Sequence, residues 1–394
     1  MKKSVKWKTA LVLWGATDLG PPHFSGDLLW RTGFKAPSPF FLVDILEDGV
    51  LDFNKSYLLT NPLELERASK EAKADEVVNL DDYKSKTRSA LVNFLKKHGV
   101  EKVVVPDTFP CELCNALLKS FKVAYAKPPF YPGRAIKTDW EIGEIEKAQR
   151  AVENAVRKAI DYLKTCSTTT NNEIIHGLLL KKLLYSKDLR KIIDDELYKQ
   201  GYLGVDTIVS CGAQAADPHC AGSGPLKAHQ PIVMDVFPLS LETHYYADMT
   251  RTIFRGEPSK ELRDMYQEVL FAQEMAMHNI KAGVDGHDIY EAVLVQLESA
   301  LYPTDLKNRP MEGFIHGVGH GVGIDMHEPP WIGSTKCILQ EGNVVTVEPG
   351  LYYSQARDHI PVGGIRIEDM VLVTKDGCRN LTNFPKDLDS MIIS

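Results

Sequence analysis

Cysteine is scarce in this sequence: seven residues among 394, odd in number and mostly isolated. That usage argues against a disulfide framework and for a reducing compartment, so a cytoplasmic protein is expected. Basic charge is also in short supply, with 46 Lys and Arg against 53 Asp and Glu and a net charge of −7. No basic stripe is left to neutralise phosphates, and nucleic acid is not expected as a partner. Long apolar runs are missing too, since nothing approaches the ~20 residues that span a bilayer. Lys2 and Lys3 precede an apolar run from Ala10 to Ala16, but the run is too short for a signal peptide, and Trp14 and Gly15 interrupt it before Asp18. It is expected to be a first strand. Tandem repeats and low-complexity segments are absent. What remains is a chain of ordinary globular proportions, 44% hydrophobic and 25% charged, long enough for more than one domain and suited to a free peptide or small molecule.

From residue 8 to about 130, short β-rich runs alternate with helical patterns, as in a layered α/β domain. The runs are Thr9 to Trp14, Phe40 to Ile45, Val50 to Phe53, Val103 to Pro106 and Val123 to Ala126. Helical spacing marks Asp81 to His98, closed by Gly99 as a C-cap, and Pro110 to Phe121. Around Pro128 to Lys137, two prolines and a glycine punctuate the chain, which predicts domains over 1–134 and 135–394. Thr138 and Glu141 form a capping box, and Ile142, Ile145, Ala148, Val152, Ala155, Ala159 and Leu163 then mark one face of a long helix. A second long helix follows Ser259. The larger half therefore predicts an α+β architecture, with antiparallel hairpins among long helices.

Carboxylates inside strand-like apolar runs are the strongest chemical signal, because an unpaired buried charge is costly. In PIVMDVFP, Asp235 shares a strand face with Val233 and Phe237, and in HYYADMTRTIF, Asp248 shares one with Tyr246 and Thr250. These runs are expected to pair as an antiparallel hairpin. Glu348 in VVTVEPG and Glu368 in GIRIEDMVLV repeat the arrangement, giving four strand carboxylates. Between the two pairs, HGVGHGVGIDMHE supplies His316, His320 and His327, with glycines that let backbones approach closely. Oxygen ligands with one imidazole suit hard to borderline divalent ions, and four carboxylates would nearly balance two of them. A dinuclear site with a bridging water follows.

These motifs, in this order, resemble the pita-bread metallopeptidases, the group of aminopeptidase P, prolidase, methionine aminopeptidase and the metal-free creatinase. The resemblance covers the whole larger half and, less specifically, the N-terminal half, which is similar to the creatinase-like α/β domain of prolidase and aminopeptidase P. It implies a pita-bread catalytic domain with an antiparallel sheet and flanking long helices. Asp235 would bind one ion, Asp248 and Glu368 would bridge, and His320 and Glu348 would bind the other. His219, His316 and His327 match the outer histidines that contact the substrate carbonyl or carry protons. Arg366 matches an arginine that orients this region, and Glu348 is the candidate for passing a proton to the leaving nitrogen. The implied reaction is hydrolysis of an Xaa-Pro bond near a peptide N-terminus, in a homodimer. The ions are expected to be manganese, with cobalt, zinc or iron as alternatives. One departure stands out: Asp235 and Asp248 are thirteen positions apart, and the family's usual hairpin is two residues shorter. Two added residues preserve the strand face.

A single strand aspartate is more often a structural ion-pair partner than a ligand, and it is the ordered set that favours metal. Cys111 and Cys114 lack a second pair and sit at a helix start, so they are expected to pack. His176, His278 and His287 fall in helical patterns and are expected at the surface or in the core. Methionine aminopeptidase shares the ligand set but usually lacks an N-terminal domain of this kind, and creatinase lacks the ligands. A non-enzymatic pita-bread peptide-binding protein is the alternative from another class.

Overall fold

The computed structural model describes residues 8–18, 20, 23–46, 55–83, 87–127, 129–177 and 181–394. The chain divides into two compact units, Met1–Arg134 and Ala135–Ser394.

The first unit is built on one sheet with strand order β4-β3-β2-β1-β5-β6. The strands are β1 (Thr9–Gly15), β2 (Phe40–Leu46), β3 (Lys55–Thr60), β4 (Glu76–Asn79), β5 (Lys102–Pro106) and β6 (Lys122–Ala126). Strand β2 is buried along its whole length. Its alternate residues feed separate cores, as strand periodicity requires: Phe41, Val43 and Ile45 face one, Phe40 and Leu42 the other. Helices α3 (Thr87–Lys97) and α4 (Cys111–Leu118) close the first core with Leu91, Phe94, Leu113 and Leu117. On the second, α1 (Gly26–Thr32) and α2 (Leu65–Glu71) contribute Leu28 and Ala68. Of the stretch expected as a helix from Asp81, Leu80–Tyr83 form a 3-10 turn and α3 covers Thr87–Lys97. Lys2, Lys3 and the run Val50 to Phe53 lie outside the described residues.

The second unit opens with α5 (Asp139–Lys164), capped by the Thr138–Glu141 box, its expected apolar face buried. Three short strands follow, β7 (Ser167–Thr168), β8 (Ile174–His176) and β9 (Lys182–Leu183). His176 therefore lies in a strand and not in a helix, and its Nδ1 meets the Tyr162 hydroxyl at 2.7 Å. After α6 (Ser186–Lys199) come β10 (Tyr202–Leu203), β11 (Ile208–Cys211), β12 (Ile232–Val236), β13 (Leu239–Ser240) and β14 (Met249–Arg255). Helices α7 (Lys260–Asn279) and α8 (Gly286–Ser299) precede β15 (Gly319–Gly321), β16 (Glu328–Ile332), β17 (Val344–Val347), β18 (Gly350–Tyr353), β19 (Gly363–Arg366), β20 (Asp369–Val373) and β21 (Cys378–Asn380). A short α9 (Leu388–Met391) and β22 (Ile392–Ile393) end the unit. The main sheets run β11-β12-β14-β22 and β16-β15-β17-β20-β21, and β18 pairs with β19. The longer 237–248 connection is absorbed by β13, which pairs with β10, and by a bond from Leu241 N–H to Gly201 O at 3.1 Å.

Strand β14 ties its own sheet to the β18–β19 pair and to the residue that precedes β20. The Thr252 hydroxyl donates to Arg366 O at 2.9 Å, and Glu368 N–H donates to Thr250 O at 3.1 Å. Between those threonines Arg251 is fully buried and donates to Thr250 O (2.9 Å), Glu368 O (2.6 Å), Asp369 Oδ1 (2.7 Å), Phe384 O (3.0 Å) and Pro385 O (2.8 Å). Lys386 completes the cluster on Asp369 Oδ2 at 2.8 Å and Gln273 Oε1 at 2.7 Å.

Removing Arg251 leaves several buried acceptors without a donor. Arg251→Met is expected to destabilise the second unit by about 3–5 kcal/mol, the usual cost of breaking a buried ion pair from one side. Urea unfolding measures this; a loss below about 1 kcal/mol would mean the tail is held by packing alone.

Candidate metal centre

The acidic residues lie where hairpins end, not in mid-strand. Asp235 is near the end of β12, opposite Thr250, and Asp248 immediately precedes β14. Glu348 directly follows β17, and Glu368 occupies the break between β19 and β20. A carboxylate at a strand end can reach into the space between two sheets while the ladder behind it stays intact. His320 is central in β15, where the ladder to β16 shifts register before Gly321, leaving Pro329 and Pro330 unpaired. Proline has no N–H to donate, and a bulge of this kind re-aims the neighbouring side chains. Gly319 is required for the sheet to close at all, because a Cβ there would sit 2.0 Å from Thr346 O.

One cavity of about 300 Å³ collects all the expected site residues: Asp235, Asp248, His320, Glu348 and Glu368 with His219, His316, His327 and Arg366. Ile208, Phe237, Met326 and Trp331 add an apolar wall. His320 Nε2 lies 3.7 Å from Asp248 Oδ2 and 3.4 Å from Glu348 Oε1. Ligand atoms of Asp248, His320 and Glu368 all fall within 4.8 Å of one another.

The hydrogen bonds leave this set an incomplete shell. Arg366 donates to Asp235 Oδ2 at 2.6 Å, to the Tyr352 hydroxyl at 2.9 Å and to Thr250 Oγ1 at 3.2 Å, and Thr250 in turn donates to Glu368 Oε2 at 2.8 Å. The other oxygens, Asp235 Oδ1 and Glu368 Oε1, are buried without a donor, as is Asp248 Oδ1. His320 Nδ1 meets Gly321 O at 3.1 Å; a carbonyl only accepts, so the proton sits on Nδ1 and the Nε2 lone pair faces the acids. Buried acceptors without donors beside an imidazole lone pair fit a divalent cation and fit no neutral packing role.

Electrostatics agree with this. Burial, with Glu368, Asp235 and Glu348 close by, holds Asp248 well above the usual carboxylate range. Burial and Glu368 do the same to Glu348. Glu368 is pushed up to about 8 by burial and by Asp235. His320 is driven down to about 3 by burial and His327, so its imidazole is neutral at neutral pH. Burial also lowers His327, with Asp235 opposing, and takes His316 down to about 4 with help from Arg366. Both His316 nitrogens are engaged, Nδ1 with Gly317 O and Nε2 with the Tyr352 hydroxyl, each at 2.8 Å.

Tyr352 is the buried member of this hydrogen-bond network that sequence reasoning passed over. It bridges Arg366 and His316, and its one sequence signal is its position four residues after Glu348. Asp369, next to Glu368, is held on the Arg251–Lys386 cluster and does not line the cavity.

The profile of metallopeptidase family M24 matches residues 143–375. An uncharacterized peptidase of Staphylococcus aureus strain MW2 is 32% identical over 255 residues, a stretch covering 64% of this chain and 64% of that relative. The fold is similar to that of an Xaa-Pro dipeptidase from Bacillus anthracis (TM-score 0.77, 24% identity, 96% of this chain and 94% of that one). It is likewise similar to an X-Pro aminopeptidase from Thermotoga maritima (TM-score 0.75, 23% identity, 97% of each chain). The architecture is accordingly the pita-bread catalytic fold preceded by a smaller α/β domain.

The raised carboxyl groups predict how metal-free protein responds to pH. Glu368 ordinarily titrates at 4.5 and in the folded protein at about 8, so between those values the folded state holds a proton that the unfolded chain has lost. For this group stability falls as pH rises through that window; the lowered His316, His320 and His327 act in the opposite sense up to their ordinary value of 6.5, so the fall stands unopposed by them above it. The thermal midpoint of chelator-treated protein is expected to drop by a few degrees from pH 7 to pH 8, and saturating manganese should abolish the drop; a midpoint that rises over this range would contradict it.

Proposed function

The chain belongs to metallopeptidase family M24, and on that premise we propose that it hydrolyses the Xaa-Pro bond at the N-terminus of small peptides. Two divalent ions, manganese in the first instance, would be held by Asp235, Asp248, His320, Glu348 and Glu368. The carrying observation is the set of buried carboxylate oxygens without donors that share a cavity with the His320 lone pair. Support for proline in the second position comes from the Xaa-Pro dipeptidase and X-Pro aminopeptidase that share the whole two-unit fold. The apolar wall of Ile208, Phe237, Met326 and Trp331 gives a prolyl ring somewhere to sit.

When bound, the ions supply Lewis acidity that makes water a nucleophile at neutral pH and polarises the scissile carbonyl. The chain's own groups then divide the remaining work. Glu348 accepts the proton lost by the attacking water and passes it to the prolyl nitrogen as the C–N bond breaks. His327, kept neutral by burial, donates a hydrogen bond to the oxygen on which charge develops, and His219 binds the substrate carbonyl. Arg366 and Tyr352 restrain Asp235 and His316, so His316 acts through this network and not by touching substrate.

Purified protein supplied with manganese is expected to cleave Xaa-Pro or Xaa-Pro-Xaa peptides and to lose that activity on chelation. Full activity in metal-free protein would end the proposal. His327→Ala should lower kcat roughly a hundredfold, as for loss of an oxyanion donor, with bound metal unchanged; joint loss of metal and activity would make His327 a ligand instead.

A further inference from the structure

His320 and His327 stand at the two ends of a short connection, their ring centroids 4.2 Å apart. That connection is gripped from the side away from the cavity. Glu328, next to His327, opens β16 and does not line the cavity, as alternation along a strand requires. Its Oε1 lies 2.5 Å from Lys137 Nζ, and the two side chains are only 4% and 1% exposed. Lys137 is itself fixed, because its N–H donates to Gly342 O at 2.8 Å and the next residue is the N-cap of α5. The Glu328 carboxylate fills the space over Gly323, where a Cβ would come within 2.6 Å of Oε1. Gly323 O accepts from Tyr246 N–H at 2.8 Å, which ties the connection to the lengthened loop before Asp248.

An ion pair buried this deeply adds little net stability, because desolvation offsets most of the attraction. What it does add is direction: one carboxylate position, and with it one backbone course for 327–328. We propose that Lys137 and Glu328 are positioning residues that set the His327 imidazole over the cavity beside His320. The inference rests on the peptidase reading for its activity assay, and on geometry alone for its structural arm.

The test compares Lys137→Met, Lys137→Arg, His327→Ala and the Lys137→Met/His327→Ala double variant for bound manganese, thermal midpoint, kcat and KM on an Xaa-Pro-Xaa peptide. Lys137→Met is expected to lower kcat roughly ten- to a hundredfold, the usual effect of removing a supporting partner, with metal content and KM little changed. Lys137→Arg should restore most of the rate. On the His327→Ala background, Lys137→Met should cost no more than about a further twofold, because both changes then act through one imidazole. Multiplicative losses in the double variant, or metal lost in step with activity in Lys137→Met, would overturn the proposal. Should Lys137→Met fail to fold, Gly323→Ala keeps both charges but displaces the carboxylate, and it must show the same split between kcat and metal content. If the wild-type protein cleaves no Xaa-Pro peptide, the peptidase reading alone fails. Crystal structures of the wild-type and Lys137→Met proteins then decide: a displaced His327 ring supports positioning, and an unmoved ring refutes it.

Discussion

Carboxylates crowded into one buried cavity repel one another, and each loses hydration that the protein must replace. Asp235, Asp248, Glu348 and Glu368 share such a cavity with one guanidinium, that of Arg366. Four potential negative charges against one positive leave an excess that the chain's own groups do not cancel. Burial first, and this excess after it, make Asp248, Glu348 and Glu368 hold protons more tightly than ordinary carboxylates. Divalent ions would remove the conflict, and much of the second unit can be understood as holding the acids in place for them.

Strand β14 carries most of that task through simple alternation. Thr250 and Thr252 face the acids, tying Glu368 and Arg366 across the gap between two sheets. Arg251 points the other way and grips the backbone of Glu368 together with the C-terminal segment. Gln273 reaches Val347 O at 3.2 Å, so the residue before Glu348 is anchored by the same Lys386-linked cluster. The strand ends that carry these acids are thus fixed from behind by buried cations and amides, while their carboxylates stay open to the cavity.

The α+β character, the capping box of α5 and the N-cap of α7 were legible in the sequence because each rests on local spacing. The acids stood out because charge inside an apolar run is costly enough to mark itself, and His320 because of its place in HGVGHGVGIDMHE. Partners far along the chain were not legible. Tyr352, Arg251 and the Lys137–Glu328 pair draw their meaning from residues 14 to 191 positions away, and for Tyr352 and the Lys137–Glu328 pair no residue-type pattern marks that role. Arg251 could have been flagged by the logic applied to the acids, since it too is a charge within β-branched residues. His176 misled because a short strand between turns leaves little periodicity, and β3 and β4 were not among the runs expected. Glu368 was expected within a continuous strand; the structure breaks that strand at 367–368, and the break lets the carboxylate enter the cavity while β19 and β20 pair with different neighbours.

Two adjacent acids give the most direct measurement. Glu368 lines the cavity, and Asp369 is bound to Arg251 and Lys386 outside it. Calorimetric titration with manganese should show Glu368→Gln losing tight binding of a pair of ions, while Asp369→Asn, though less stable, still binds both. If Asp369→Asn lost an ion and Glu368→Gln kept two, the assignment of these carboxylates to a metal centre would be wrong.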